Sequence, residues 1–173
     1  VLASLGYHVT PRPNHVPEVE ETEDTLEGNA LLKARALSAA TGQAAVADDT
    51  GLFVTALGGE PGVYSARYAG AGASDLDNVN KLLAKLTLVA DRSAVFRTVI
   101  AVVRPDGREV TVVGELAGEI AFAPRGSGGF GYDPVFEVPE ADGLTLAEMS
   151  ASEKNAISHR ARALKALAGA LRD

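Results

Sequence analysis

The run Ala44-Ala45-Val46-Ala47 leads directly into Asp48-Asp49. A short, bounded apolar run fits a buried strand, and a buried strand requires a sheet covered by other layers. Thr50-Gly51 follow and predict a turn, so the strand is expected to deliver two adjacent carboxylates to a sheet end. Neighbouring side chains on a strand normally point to opposite faces, but at a strand end before glycine both can turn into one cleft. Crowded carboxylates repel, and at least one pKa rises unless a cation lies between them. Mg²⁺ suits that place, because it prefers oxygen ligands and often bridges to phosphates. The competing reading is an ordinary Asp-rich turn, since aspartate is a common turn former.

Around this strand the pattern alternates between periods. Pro11, Pro13 and Pro17 break any helix before residue 24. Thr25 is placed to cap a helix that carries Leu31, Ala34 and Leu37 and stops at Gly42. After the Ala44–Ala47 strand comes a second apolar stretch, Leu52-Phe53-Val54, then a Gly-rich loop from Leu57 to Gly72. Ser74 predicts the cap of a second helix with Leu76, Val79, Leu82, Leu83 and Leu86 on one face. Strands are predicted over Ala94–Arg104 and Glu109–Leu116, joined by Pro105-Asp106-Gly107-Arg108, with a third over Glu119–Ala123 after Gly118. A second Gly-rich loop spans Pro124–Pro134, and a closing helix runs from about Ser158 to Leu171. This order indicates an α/β or α+β chain with a mixed sheet, rather than repeated βαβ units.

The 173 residues suit one domain with a sizeable core. Cysteine is absent, which removes disulfides and thiol catalysis. The net charge of −7 argues against nucleic-acid or acidic-membrane partners, and no apolar run is long enough to span a bilayer. The location expected is cytoplasmic. A small phosphate ligand stays open, since it needs only a local group of cations or a metal.

Four groups of residues carry possible chemistry. Glu27, Lys33 and Arg35 lie on the first predicted helix, where Lys33 near Asp48-Asp49 would hold a phosphate or the attacking water. For Arg35 a solvated helix face is the competing reading. In Asp48-Asp49-Thr50-Gly51, one carboxylate would hold a metal and the other accept a proton from water. In Gly128-Gly129-Phe130-Gly131-Tyr132-Asp133-Pro134, close backbone approach, a Phe130 ring for stacking a flat base and an extended Asp133 accepting a base N–H form one reading. A tight structural loop is the other. Lys154, His159 and Arg160 present donors near helix starts, and Ser150-Ala151-Ser152-Glu153 also reads as a plain capping box.

Five motifs occur in order: Asn29-Ala-Leu-Leu-Lys33-Ala-Arg35, Ala47-Asp-Asp-Thr-Gly-Leu52, the Leu57–Gly70 segment, Gly128-Gly-Phe-Gly-Tyr-Asp-Pro-Val-Phe136, and Glu153-Lys-Asn-Ala-Ile-Ser-His-Arg160. With these residues the chain resembles the ITPase-like family of purine nucleoside triphosphate pyrophosphatases (XTP/dITP diphosphatases) from about Thr25 to Leu167. The resemblance implies an elongated α/β fold with a central mixed sheet and an active-site cleft between two lobes, usually a homodimer. It implies Mg²⁺-dependent hydrolysis of ITP, dITP or XTP to the monophosphate and pyrophosphate.

Carried over residue by residue, the resemblance makes Asp49 the proton acceptor and a metal ligand, with Asp48 and Glu27 as further metal candidates. It makes Lys33 the helix lysine near the phosphates and Thr50 a substrate contact at a position usually held by Ser. Phe130, Gly131, Tyr132 and Asp133 become the base-binding loop, and Lys154, His159 and Arg160 the base-recognition group. Donors there would favour a 6-oxopurine over adenine, since adenine would leave them unpaired. The family pattern also places roughly twenty residues of strand, phosphate loop and helix before Val1, comparable to other short βα units. Glu27 stands one residue earlier than the family's usual acidic position, which Gly28 takes here. The alternatives are a Maf-like pyrophosphatase for modified pyrimidine nucleotides and a nucleotide-binding protein without catalysis.

Overall fold

Thr25 begins the first helix as expected. Its hydroxyl accepts from the Gly28 amide, and helix α1 runs Leu26–Thr41 until Gly42 takes the left-handed conformation that ends it. The computed structural model describes residues 6–172. Strand β1 (Ala45–Val54) follows, then β2 (Pro61–Gly62), helix α2 (Asp75–Lys85), β3 (Ser93–Val103) and β4 (Glu109–Ile120). The chain closes with β5 (Phe136–Val138), β6 (Leu144–Thr145), α3 (Ala151–Ile157) and α4 (His159–Ala170). The strands form one sheet in the order β2-β1-β3-β4-β5-β6. The α/β class matches the expectation, and the registers β1–β2, β4–β5 and β5–β6 are antiparallel.

Two glycines explain where the elements run longer than predicted. Gly51 does not turn the chain: β1 continues through Asp48-Asp49-Thr50-Gly51 to Val54. A Cβ at Gly51 would lie 2.5 Å from the Gly62 carbonyl oxygen, so glycine is needed there for the close approach of β2. Gly118 likewise sits inside β4, where a Cβ would lie 2.3 Å from the Glu137 carbonyl oxygen of β5. The two strands expected on either side of it are one, and the short strands β5 and β6 lie between the predicted Gly-rich loop and the closing helix, where no element is predicted. The Ser150–Glu153 capping box begins a separate helix, α3, ahead of α4.

The chain forms two compact units. Among the described residues the first comprises 6–50, 98–114 and 160–172, and the second comprises 51–97 and 115–159. The first unit has a small core of Ile100 and Val102 from β3 against Ala163 and Leu167 from α4. The second has a larger one, in which Leu52, Leu82, Leu116, Phe136 and Leu146 are fully buried. On α2, Val79 and Leu82 face that core, whereas Leu76, expected beside them, is 63% exposed. The Ser74 cap is a full capping box with Asp77. Among the described residues no helix is long and apolar enough to cross a membrane.

Candidate active site

In the first unit, β1 carries Asp48 and Asp49 in mid-strand rather than at a turn, so the pleat sends them to different partners. Asp48 accepts from Arg160 at the start of α4, with Nε and Nη2 both 2.9 Å from Oδ2. Asp49 is 8% exposed and accepts from Lys33 Nζ on α1 at 3.1 Å through Oδ1. The two carboxylates therefore have different protein partners, and they lie in mid-strand rather than at the strand end expected. Thr50 returns to the Asp48 side of the alternation, and its hydroxyl meets that of Thr98 on β3 at 2.7 Å.

Glu21 is the residue that sequence reasoning missed. Lys33 Nζ donates to Glu21 Oε1 at 3.0 Å as well as to Asp49. The acidic segment is fixed by fully buried Asn29: its Oδ1 accepts from the Glu23 amide and its Nδ2 donates to the Glu23 carbonyl. Asn29 thus acts as a short strand partner for residues that have no regular structure, and sequence spacing alone cannot show such a bond. Glu27 is directed elsewhere; its Oε1 accepts from Thr111 Oγ1 on β4 at 2.9 Å. A cavity of about 420 Å³ beside this group is lined by Glu18, Glu21, Lys33 and Asp48 among others.

One ammonium between two carboxylates decides the electrostatics. Burial opposes the charged form of Lys33, but its hydrogen bonds to Glu21 and Asp49 outweigh burial and hold its pKa above the ordinary lysine value. Asp49 moves up as well. Burial pushes it up, Lys33 pulls it down, and the charge of Glu21 adds to the rise, leaving the carboxyl more basic than an ordinary aspartate. Asp49 Oδ2 is buried and makes no hydrogen bond of ordinary geometry among the described residues, while the Asn29 side chain beside the carboxyl tempers the rise. A buried acceptor without an ordinary hydrogen bond suits a cation or a water proton.

In the second unit, the loop after Gly128 closes around Asp133. Asp133 Oδ2 accepts from the Phe130 amide at 2.9 Å and from Lys154 Nζ on α3. Gly129 (φ +73°) passes so near that a Cβ would lie 2.0 Å from the same oxygen. Asp133 is buried and organises the loop. The Phe130 ring is 63% exposed, with Lys154 Nζ 4.7 Å from its centroid. Tyr132 is buried and donates to the Ser65 carbonyl at 2.7 Å, and burial pushes its phenol well above the ordinary value. The Gly131 amide donates to Asp75 Oδ2 at 2.7 Å. His159 is 6% exposed and stacks on Phe96, with ring centroids 4.7 Å apart.

The predicted residues thus divide between the two units. Lys33, Asp48, Asp49, Thr50 and Arg160 belong to the first unit, and Phe130–Asp133, Lys154 and His159 to the second. The model of the Ham1 family matches residues 2–170. The chain belongs to the Ham1 family. One relative, a dITP/XTP pyrophosphatase of Symbiobacterium thermophilum, is 55% identical over 166 residues, covering 95% of this chain and 82% of that one. Another of the same name, from Bacillus licheniformis, is 53% identical over 175 residues, covering 99% and 89%. Among solved structures, a HAM1 protein of Coxiella burnetii superposes with a TM-score of 0.86 at 46% identity, covering 91% of this chain and 81% of that one. The Ham1 protein of Staphylococcus aureus gives a TM-score of 0.85 at 47% identity, covering 90% and 80%. The two groups of side chains therefore lie on the fold of the Ham1 family.

Proposed function

We propose that this chain hydrolyses deaminated purine nucleoside triphosphates (ITP, dITP and XTP) to the monophosphate and pyrophosphate. The observation that carries the reading is Asp49: buried, raised in pKa, held by Lys33 through one oxygen and, among the described residues, without a hydrogen bond of ordinary geometry at the other. Relatives more than half identical to this chain bear the name dITP/XTP pyrophosphatase.

In this reading a water molecule attacks the α-phosphorus. The bond from that phosphorus to the α–β bridging oxygen breaks, and pyrophosphate leaves with that oxygen. The water proton passes to Asp49 Oδ2, whose raised basicity suits a general base. Lys33 keeps its charge and offsets that of the phosphates. A divalent cation, Mg²⁺ in this reading, supplies charge neutralisation on the triphosphate oxygens when bound. Asp49 would hold it, because a carboxylate oxygen carries two lone pairs and Oδ2 has no hydrogen-bond partner among the described residues. Glu21, on the same ammonium, is a second ligand candidate ahead of Glu27, which is bonded to Thr111, and Asp48, which is bonded to Arg160. Among the described residues no three His, Asp or Glu side chains converge as a metal cage. Mg²⁺ does not need one, since it keeps waters and takes substrate phosphates as ligands.

Base recognition is assigned to the second group and Arg160. Phe130 offers an exposed ring for stacking, and Lys154, His159 and Arg160 are the donors assigned to O6 of the purine. A homodimer and a cytoplasmic location belong to the same proposal; sedimentation of the purified chain checks the first.

The test is incubation with Mg²⁺ and, separately, ITP, ATP and a modified pyrimidine triphosphate, with pyrophosphate and phosphate measured. Pyrophosphate from ITP in clear excess over ATP is expected. Phosphate in place of pyrophosphate, or preference for the pyrimidine, overturns the reading.

A further inference from the structure

The Phe130 loop carries an exposed aromatic ring on a glycine-flanked backbone, and such a chain is held in one conformation by the bonds made to its backbone. Asp133 fixes the Phe130 amide from within the loop. The Gly128 amide donates to the Ala147 carbonyl at 2.9 Å, and the Tyr132 hydroxyl to the Ser65 carbonyl. The residue after Phe130 is Gly131, at φ +60°, and its amide is held by the Asp75 carboxylate at 2.7 Å. Asp75 is the first residue of α2.

That helix is itself fixed. Its Ser74–Asp77 capping box is complete, and buried Asn78 accepts from the Ala69 amide at 2.7 Å and donates to the Ala66 carbonyl at 3.2 Å. Asp75 therefore links the left-handed glycine beside Phe130 to a helix end anchored on both sides. The bond is charge-assisted, which makes it stronger than a neutral one. Nothing in the capping box requires Asp75, because Asp77 supplies the carboxylate there.

We propose that Asp75 is a positioning residue for base recognition: by holding the Gly131 amide it keeps the Phe130 ring in the orientation on which the purine stacks. The proposal rests on the base-binding reading of the loop. Asp75 touches neither the phosphates nor the attacking water in this account, so its loss acts on substrate binding rather than on bond breaking.

Asp75→Ala removes the acceptor, and Asp75→Asn keeps an acceptor oxygen at the same reach. The expected result for Asp75→Ala is faster amide hydrogen exchange over residues 129–132 and a KM for ITP raised about fivefold, with kcat within about twofold of the wild type. Asp75→Asn restores both. Unchanged exchange in the loop overturns the tether, as does an Asp75→Asn variant impaired as much as Asp75→Ala. Faster exchange with an unchanged KM for ITP leaves the tether but overturns the proposal that it positions the ring, whereas a Phe130→Ala variant with unchanged KM overturns the base-binding reading itself. A thermal melt of both variants separates these results from a general loss of fold.

Discussion

Lys33 Nζ lies 3.1 Å from Asp49 Oδ1 and 3.0 Å from Glu21 Oε1, so one ammonium is shared by two carboxylates. The buried one, Asp49, gets less than a full partner, and its second oxygen makes no hydrogen bond of ordinary geometry among the described residues. Asp49→Asn keeps the shape and removes the base. Pyrophosphate release from ITP is expected to fall by about 10²–10⁴-fold, the usual contribution of a positioned general base. The melting temperature at neutral pH should be no lower than that of the wild type, since the variant also removes a buried charge.

Lys33→Met leaves the Asp49 carboxylate buried without its cation. Breaking such a pair on one side is costly, and a loss of about 1–3 kcal/mol is expected for a pair that retains some solvent contact. Urea denaturation at neutral pH measures it. The loss should shrink in acid, where a protonated Asp49 no longer needs a partner.

The pKa of Asp49 is raised chiefly by burial, which sets two signs of pH dependence. The base works when deprotonated, so kcat/KM rises with pH through a limb lying above the value of about 4 for an ordinary aspartate. Stability moves the other way. Between the unfolded and the higher folded pKa of Asp49 the folded chain binds more protons, so its contribution falls as pH rises through that window. Lys33, raised mainly by its bonds to Glu21 and Asp49 against burial, contributes stability that is full below the ordinary lysine pKa and is lost as pH rises through its folded value. Paired profiles of activity and melting temperature for the wild type and Asp49→Asn resolve the acid limb.

Gly129→Ala places a methyl 2.0 Å from Asp133 Oδ2, at a backbone φ of +73°. Asp133 cannot yield freely, since that oxygen also receives the Phe130 amide and Lys154. A stability cost of roughly 1–3 kcal/mol is expected, with a raised KM for ITP. Thermal melts and steady-state kinetics check both.

Much of this arrangement is legible in the sequence where the signal is local. Thr25 and Gly42 mark α1, and Ser74 marks α2, because caps are bonds between neighbours in the chain. Glycine misleads where its reason is distant. Gly51 and Gly118 read as breaks, yet each admits a carbonyl from an adjacent strand, and that strand is separate in sequence. The same limit hides Glu21: its place beside Lys33 depends on Asn29 gripping the Glu23 backbone. Asp48-Asp49 are legible as a pair but not in their directions, which follow from β1 running on past them.

The central claim is attack of water at the α-phosphorus with Asp49 as base. Hydrolysis of ITP in ¹⁸O-labelled water, followed by mass spectrometry of both products, tests it most directly. The account predicts the label in the nucleoside monophosphate and none in the pyrophosphate, at a rate that collapses in Asp49→Asn. Label in the pyrophosphate, or an undiminished rate in that variant, would contradict it.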